Sequence, residues 1–95
     1  MLNKYVLIRT NFAGVHFGIL AEKNGTEVLL KNATRIWYWS GAASLSQLAM
    51  EGVKNPENCK FSVEVEEIIL TGVIEIILIS EVALINLKNV PLWKS

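Results

Sequence analysis

The stretch that decides the fold is "GVHFGILAEKNGTEVLLKNA", residues 14–33. An apolar run from Val15 to Ala21 is followed by the dipeptide Asn24-Gly25 and then by a second β-favouring run from Thr26 to Leu30. Asn-Gly between two such runs is the strongest short-range signal of a β-hairpin, because both residues tolerate a positive φ. The sequence therefore predicts a hairpin whose turn lies at Asn24-Gly25.

Further strands and a short helix flank this hairpin. "YVLIRT", Tyr5–Thr10, predicts a strand that is buried on both faces, and "RIWYW", residues 35–39, predicts another strand. The apolar period then becomes helical, and Ser44 and Gln47 have the S-x-x-Q spacing of a capping box. We expect a helix of about two turns that ends at Gly52.

The second half of the chain continues the alternation of strands and helices. The predicted elements are a loop at Lys54–Lys60, a half-exposed strand at Phe61–Glu66, strands at Ile68–Leu70 and Val73–Ile79, and a helix capped by Ser80 with Pro91 as a stop. Runs of strands interrupted by a helix predict a single α+β domain over residues 1–95, with a mainly antiparallel sheet and two short helices. An α/β-roll and a half-open barrel both fit this order.

Composition predicts self-association. The chain has 95 residues, of which 52% are hydrophobic, and a chain this short leaves a large share of its surface exposed. We expect a homo-oligomer that covers an apolar patch. The alternative is a tightly packed monomer with single apolar residues scattered over its surface.

Charge and cysteine content disfavour several classes of function. Nine basic residues balance nine acidic ones, so the chain lacks the net positive charge that supplies most non-specific nucleic-acid affinity. We expect no nucleic-acid partner unless the fold gathers a local basic patch. One cysteine and one histidine predict no zinc site, and we expect no cofactor. The first ten residues lack the apolar region and cleavage site of a signal peptide, so we expect none. The longest apolar run, Ile68–Ile79, contains Glu75 and is too short to span a bilayer. These features predict a cytoplasmic protein without a membrane partner.

Catalytic candidates are few. His16 shares a strand face with Gly14 and Gly18, which leaves room for a ligand or for the backbone of a neighbouring strand. Cys59 is a nucleophile only if the fold brings His16 near it. Glu64 and Glu66 share a strand face and can form an acid pair, although this pattern is also typical of a solvated face. We expect no enzymatic activity.

Residues 35–39 give a stronger indication of binding. In an extended strand, Arg35, Trp37 and Trp39 share one face, opposite Ile36 and Tyr38. We expect the hydrophobic core to include Ile36, Tyr38, Leu45 and Leu48. A guanidinium beside indole rings stacks on flat rings and holds anions.

The helix start at Ser44 adds free N–H groups just downstream. These features predict a nucleotide-sized pocket. The alternative is that the aromatic rings fill a small core and that Ser44 only caps its helix.

Three stretches resemble one known family. They are "KYVLIRTNFAGVHFGIL", "RIWYWSGAASLSQLA" and "VEEIILTGVIEII", which span about Lys4 to Ile77. This pattern resembles an uncharacterised family of small proteins encoded by tailed phages and prophages. The resemblance implies a phage accessory protein and supplies no activity for individual residues.

The leading hypothesis combines this resemblance with the predicted pocket. We expect a phage accessory protein that binds a small anionic, nucleotide-derived ligand and so counters host defence. Arg35 would hold the anion, Trp37 and Trp39 would stack, and His16 and Ser44 would make polar contacts. A second hypothesis is a module that binds a host protein or joins the virion as a minor component, and a third is a small enzyme that uses Cys59 or the Glu64/Glu66 pair.

Overall fold

The predicted hairpin forms, but its turn lies one residue later than predicted. In the computed structural model, which describes all residues from Met1 to Ser95, Asn24 pairs with Glu27, so Gly25 and Thr26 make the turn. Gly25 has a φ of 62° and Thr26 has no positive φ. This is the pattern of a type II′ turn, in which only the first turn residue needs glycine.

The remaining elements form one curled sheet with two helices. In chain order they are β1 (Tyr5–Thr10), β2 (Val15–Asn24), β3 (Glu27–Tyr38), α1 (Leu45–Glu51), a 3-10 helix (Pro56–Asn58), β4 (Lys60–Phe61), β5 (Val65–Leu70), β6 (Val73–Leu78) and α2 (Glu81–Lys88). The sheet order is β4-β3-β2-β1-β6, and β5 also pairs with β3. All these strand pairings are antiparallel, which confirms the predicted α+β class.

Strand β3 differs most from the prediction. The runs predicted as two strands form one strand, which continues through Asn32 at a φ of 51°. Conversely, the single strand predicted at Phe61–Glu66 is interrupted, because β4 ends at Phe61 and β5 begins at Val65. The register shifts in the β2–β3 pairing are β-bulges, and bulges bend a strand. The bent β3 therefore pairs with two short strands in succession.

The sheet closes on itself through the corner between β5 and β6. Gly72 O accepts a hydrogen bond from Asn11 N, beyond the end of β1, while Val73 N donates to Thr26 O at the hairpin tip. These two places lie at opposite ends of β2. The long hairpin therefore curls over, and the sheet is a half-open barrel.

Apolar residues pack in two clusters, one on each side of the sheet. The inner core, inside the curl, contains Val6, Ile8, Leu20, Val28, Leu30, Ala33, Leu70 and Val73. The outer core, between the sheet and the helices, includes Leu7, Phe17, Ile36, Leu48, Phe61, Ala83 and Leu87. Strand β1 contributes to both cores, which confirms that it is buried on both faces.

Each helix begins directly after the serine that was predicted to cap it. Ser44 Oγ accepts a hydrogen bond from Gln47 N, and Ser80 Oγ accepts one from Ala83 N. Asn86 of α2 then ties the helices together, because its side-chain amide accepts from Val53 N and donates to Val53 O. Neither helix has the length or the apolar character that crossing a membrane requires.

Candidate functional site

A row of polar residues crosses the inner face of the sheet near its open end. Ile8 of β1 pairs with His16 of β2, and His16 pairs with Arg35 of β3. Directly opposed residues on antiparallel strands point to the same side, so His16 and Arg35 lie on the face of the inner core. Ser62 continues the row, since its N–H donates to Arg35 O and its Oγ accepts from Arg35 N.

His16 is a buried, neutral imidazole. Solvent does not reach its ring, since only 1% of the residue is exposed. The ring Nε2 accepts a hydrogen bond from Arg35 Nε over 3.0 Å. An accepting Nε2 assigns the ring proton to Nδ1, and Nδ1 is buried without a partner. Burial, and then the charge of Arg35, lower the pKa of His16 to about 4.

Arg35 therefore carries the positive charge at this place, and no carboxylate balances it. The ion pairs of the protein join Arg9 to Glu75, Lys31 to Glu67 and Lys88 to Glu64. The guanidinium of Arg35 lies over the ring of Trp37, with Cζ 5.1 Å from the ring centroid. Only its Nε bonds to a protein side chain, so the terminal nitrogens keep their donors for another acceptor.

These residues line a cavity of about 290 Å³. His16, Arg35 and Ser62 form its polar side, while Trp37, Val65 and Ile68 are among its apolar lining. Small-molecule sites have about 300–1,000 Å³ of volume with few polar groups in a mainly apolar wall. The cavity is thus just below the lower end of that range and has the same chemical character.

Trp37 extends the site outward. It is 58% exposed, and its ring makes an edge contact with Trp93 at 6.5 Å between centroids. Lys60 Nζ lies 5.2 Å from the Trp93 ring. The result is a surface in which two cations flank two indoles.

Sequence reasoning missed Lys60, Ser62 and Trp93. The C-terminal segment carries Trp93 to this place by pairing beside β4, where Trp93 N donates to Phe61 O. Nothing near Trp93 in the sequence indicates this pairing, because the two segments lie far apart in the chain. The sequence offered one signal of this contact, a tryptophan near the C-terminus that belonged to no predicted strand or helix.

Two predicted ligand-binding residues lie elsewhere. Trp39 follows the end of β3 and packs against the outer core, and its indole N–H donates to Ala42 O. The shared face was therefore predicted correctly for Arg35 and Trp37 and wrongly for Trp39, because the strand ends at Tyr38. Ser44 caps α1 and does not line the cavity.

The core prediction around this strand was also partly wrong. Ile36 and Leu48 are buried as expected, and Leu45 packs against the outer core. Tyr38, which the alternating pattern placed with Ile36 in the core, is exposed. It is the last residue of β3, where the sheet no longer covers its ring.

The structure does not bring the other catalytic candidates together with His16. Cys59 packs in the outer core, where its sulfur accepts from Ser40 N, whereas His16 lies on the inner face. Glu64 precedes β5 and forms an exposed ion pair with Lys88 at 3.9 Å. No group of three or more His, Cys, Asp or Glu side chains has the arrangement of a metal site.

A larger depression lies elsewhere on the surface. It has a volume of about 700 Å³ and is lined mainly by apolar residues, including Met1, Leu2, Leu20 and Ile76. It contains none of the buried polar atoms that fix a small ligand in one orientation. We therefore place the candidate site at the smaller cavity beside Arg35.

Comparison with known proteins identifies a family but no activity. A family model described as a domain of unknown function, DUF6948, matches residues 3–87. No curated protein and no solved structure gives a significant match. The match covers most of the chain and all strands of the sheet, so the chain belongs to the DUF6948 family.

Proposed function

We propose that this protein is a non-enzymatic binding protein for a small, planar, anionic ligand held at Arg35 and Trp37. The observation that carries the proposal is a guanidinium without a carboxylate partner, stacked on an exposed indole at the mouth of a cavity. An exposed arginine–indole contact contributes only about 0.5–1 kcal/mol to folding, so folding alone gives little reason for it. It suits a ligand that supplies both a negative charge and a flat face.

The arrangement of Arg35 favours an anion over a neutral ring. His16 accepts from Nε and so restricts the rotation of the guanidinium, while the terminal nitrogens stay free. Those nitrogens form the planar fork that binds phosphate or carboxylate through two parallel hydrogen bonds. A nucleotide-derived molecule combines such an anion with a base that stacks on Trp37, and we propose this class of ligand.

The biological role that we propose rests on the sequence resemblance. A small phage or prophage protein that binds a nucleotide signal in the host cytoplasm would lower its free concentration and so counter host defence. The family description names neither phages nor a ligand. The ligand-binding proposal therefore stands on the cavity, independently of this role.

Calorimetric titration tests the ligand-binding proposal. The panel contains nucleoside mono- and diphosphates, cyclic nucleotides and ADP-ribose. Because Trp39 and Trp93 also fluoresce, the part of the fluorescence quenching that Trp37→Ala removes reports on Trp37. We expect Arg35→Gln and Trp37→Ala each to weaken binding by about ten- to a hundred-fold, as loss of a charged hydrogen bond or a stacking contact does. Arg9→Gln removes the same charge on β1, which β2 separates from β3, and should leave affinity unchanged.

Two results would contradict this proposal. One is the absence of binding across the whole panel. The other is binding that neither the Arg35 nor the Trp37 variant weakens.

A second candidate function is binding to a host protein or to a virion component. Val82 and Ile85 of α2 favour it, because both are exposed apolar residues one helical turn apart. An apolar stripe of this kind fits a groove or an apolar patch on another protein. Under this hypothesis, a variant with both Val82→Lys and Ile85→Lys should lose the effect that the wild-type protein has on phage growth in the host. Its affinity for nucleotides should not change.

A further inference from the structure

Strand β6 leaves one backbone edge open. It pairs with β1 alone, and Ile79 N donates to Tyr5 O at the end of this pairing. Because backbone groups of a strand point alternately to its two sides, Ile77 and Glu75 face β1, whereas Ile76 and Leu78 turn their N–H and C=O groups outward. An edge of this kind is a template for another strand.

The side chains along this edge are apolar. Leu78 is 42% exposed and Ile74 is also exposed. Next to Ile76, the exposed Met1 and Leu2 border the apolar depression of about 700 Å³. Apolar side chains of a bound strand would fill this depression, so backbone pairing and apolar burial would occur together.

The other open edge, on β5, is protected by charge. Glu67 of that strand pairs with Lys31, and Glu64, directly before it, pairs with Lys88. Glu66 has no cationic partner, so two β5 strands would bring its carboxylate close to that of a second copy. Strand β6 has one acidic residue, Glu75, and Arg9 Nε neutralises it over 2.7 Å. It contains no lysine or proline of the kind that blocks edge pairing.

We propose that β6 pairs antiparallel with β6 of a second copy of this chain, so that the protein is a two-fold symmetric dimer. A symmetry axis at Ile76 or Ile77 sets Glu75 opposite an apolar residue of the partner. An axis at Glu75 would instead set two carboxylates directly opposite each other, which is unfavourable. The interface is self-complementary, as a two-fold dimer requires. This inference goes beyond the proposed ligand binding and needs no ligand.

Two variants test the pairing directly. Ile76→Pro removes an N–H that faces away from β1, so the fold keeps its β1–β6 pairing while the edge is blocked. Leu78→Lys places a charge on an exposed position of the same edge. We expect wild-type protein to have twice the 10.6 kDa chain mass by light scattering, and both variants to have the mass of one chain with an unchanged near-ultraviolet circular dichroism spectrum.

Matched controls distinguish this edge from other apolar positions. Val82→Lys on α2, where Val82 is 70% exposed, and Ile69→Lys on β5 should both remain dimeric. Hydrogen exchange gives a second measurement, since the Ile76 and Leu78 amides should become protected as protein concentration rises. If Ile76→Pro fails to fold, Leu78→Lys and hydrogen exchange still decide the question.

Two outcomes would overturn the proposal. One is a wild-type protein that stays monomeric at every concentration with fast exchange at Ile76. The other is a dimer that Ile69→Lys dissociates and Leu78→Lys does not, which would move the interface to β5.

Discussion

Arg35 Nε donates a hydrogen bond to His16 Nε2 across two adjacent strands, over 3.0 Å. This bond joins the one histidine of the chain to the one arginine that has no carboxylate partner. Burial opposes protonation of the ring, and the cationic donor on Nε2 opposes it further. The pair therefore holds a single positive charge, which resides on Arg35 at the mouth of the cavity.

The His16–Arg35 pair predicts a loss of stability in mild acid. The unfolded chain binds a proton on histidine near pH 6.5, whereas the folded protein binds it only near pH 4. Between these values the unfolded state holds more protons, so the free energy of unfolding falls as the pH drops. Neutral His16 therefore contributes about 3 kcal/mol to the free energy of unfolding. This contribution is fully present above about pH 6.5 and is lost as the pH falls to about 4. Urea unfolding at a series of pH values measures the loss.

His16→Gln is the control for this pH dependence. Glutamine can still accept from Arg35 but does not titrate, while the carboxylates of the protein titrate as before. The wild-type protein should therefore lose more stability than His16→Gln between pH 7 and pH 4. Parallel stability curves would show that His16 is not the group responsible.

The contact between Arg35 and Trp37 should contribute little to folding. Trp37 is largely exposed, and exposed cation–π pairs contribute about 0.5–1 kcal/mol. We expect Trp37→Ala to reduce the free energy of unfolding by no more than about 1 kcal/mol. A double-mutant cycle with Arg35→Gln, read by urea unfolding, isolates the pair. A coupling of several kcal/mol would mean that the contact is primarily structural.

The bidentate contact between Asn86 and Val53 should be strongly stabilising. Asn86→Ala leaves the N–H and C=O groups of the buried Val53 without partners, which costs about 2–4 kcal/mol in unfolding free energy. Asn89→Ala is the matched control. Its amide bonds to Ile85 O on the exposed side of α2, so thermal unfolding should change little, and equal losses in the two variants would contradict the prediction.

Close packing at Gly18 should exclude even one methyl group. An added Cβ would lie 3.0 Å from Lys31 O and 3.1 Å from Ala33 Cα, so Gly18→Ala should destabilise the protein by about 1–3 kcal/mol. Gly14→Ala is the comparison, because it has a positive φ but no atom near the added Cβ. Its cost is about 1 kcal/mol from backbone strain alone, and denaturant unfolding of both variants separates crowding from strain.

Much of the candidate site could be predicted from local patterns. The alternation along β3 correctly put Arg35 and Trp37 on one face, and His16 was identified as a residue with glycine neighbours. The pattern failed for Trp39, since alternation holds only while the strand continues. From the sequence, the space beside Gly18 could hold either a ligand or the backbone of a neighbouring strand. In the structure the backbone of Ala33 occupies it.

The sequence alone determined the α+β class, the hairpin, the helix caps and the double burial of β1, because period, turn chemistry and capping depend on residues within a few positions of each other. Tertiary structure decided the curl of the sheet, the hydrogen bond between His16 and Arg35, and the contact between Trp93 and Trp37. Each of these depends on bulges or on contacts between segments far apart in the chain. Local patterns do not specify such contacts, because many pairings satisfy the same alternation and only the packed fold selects one.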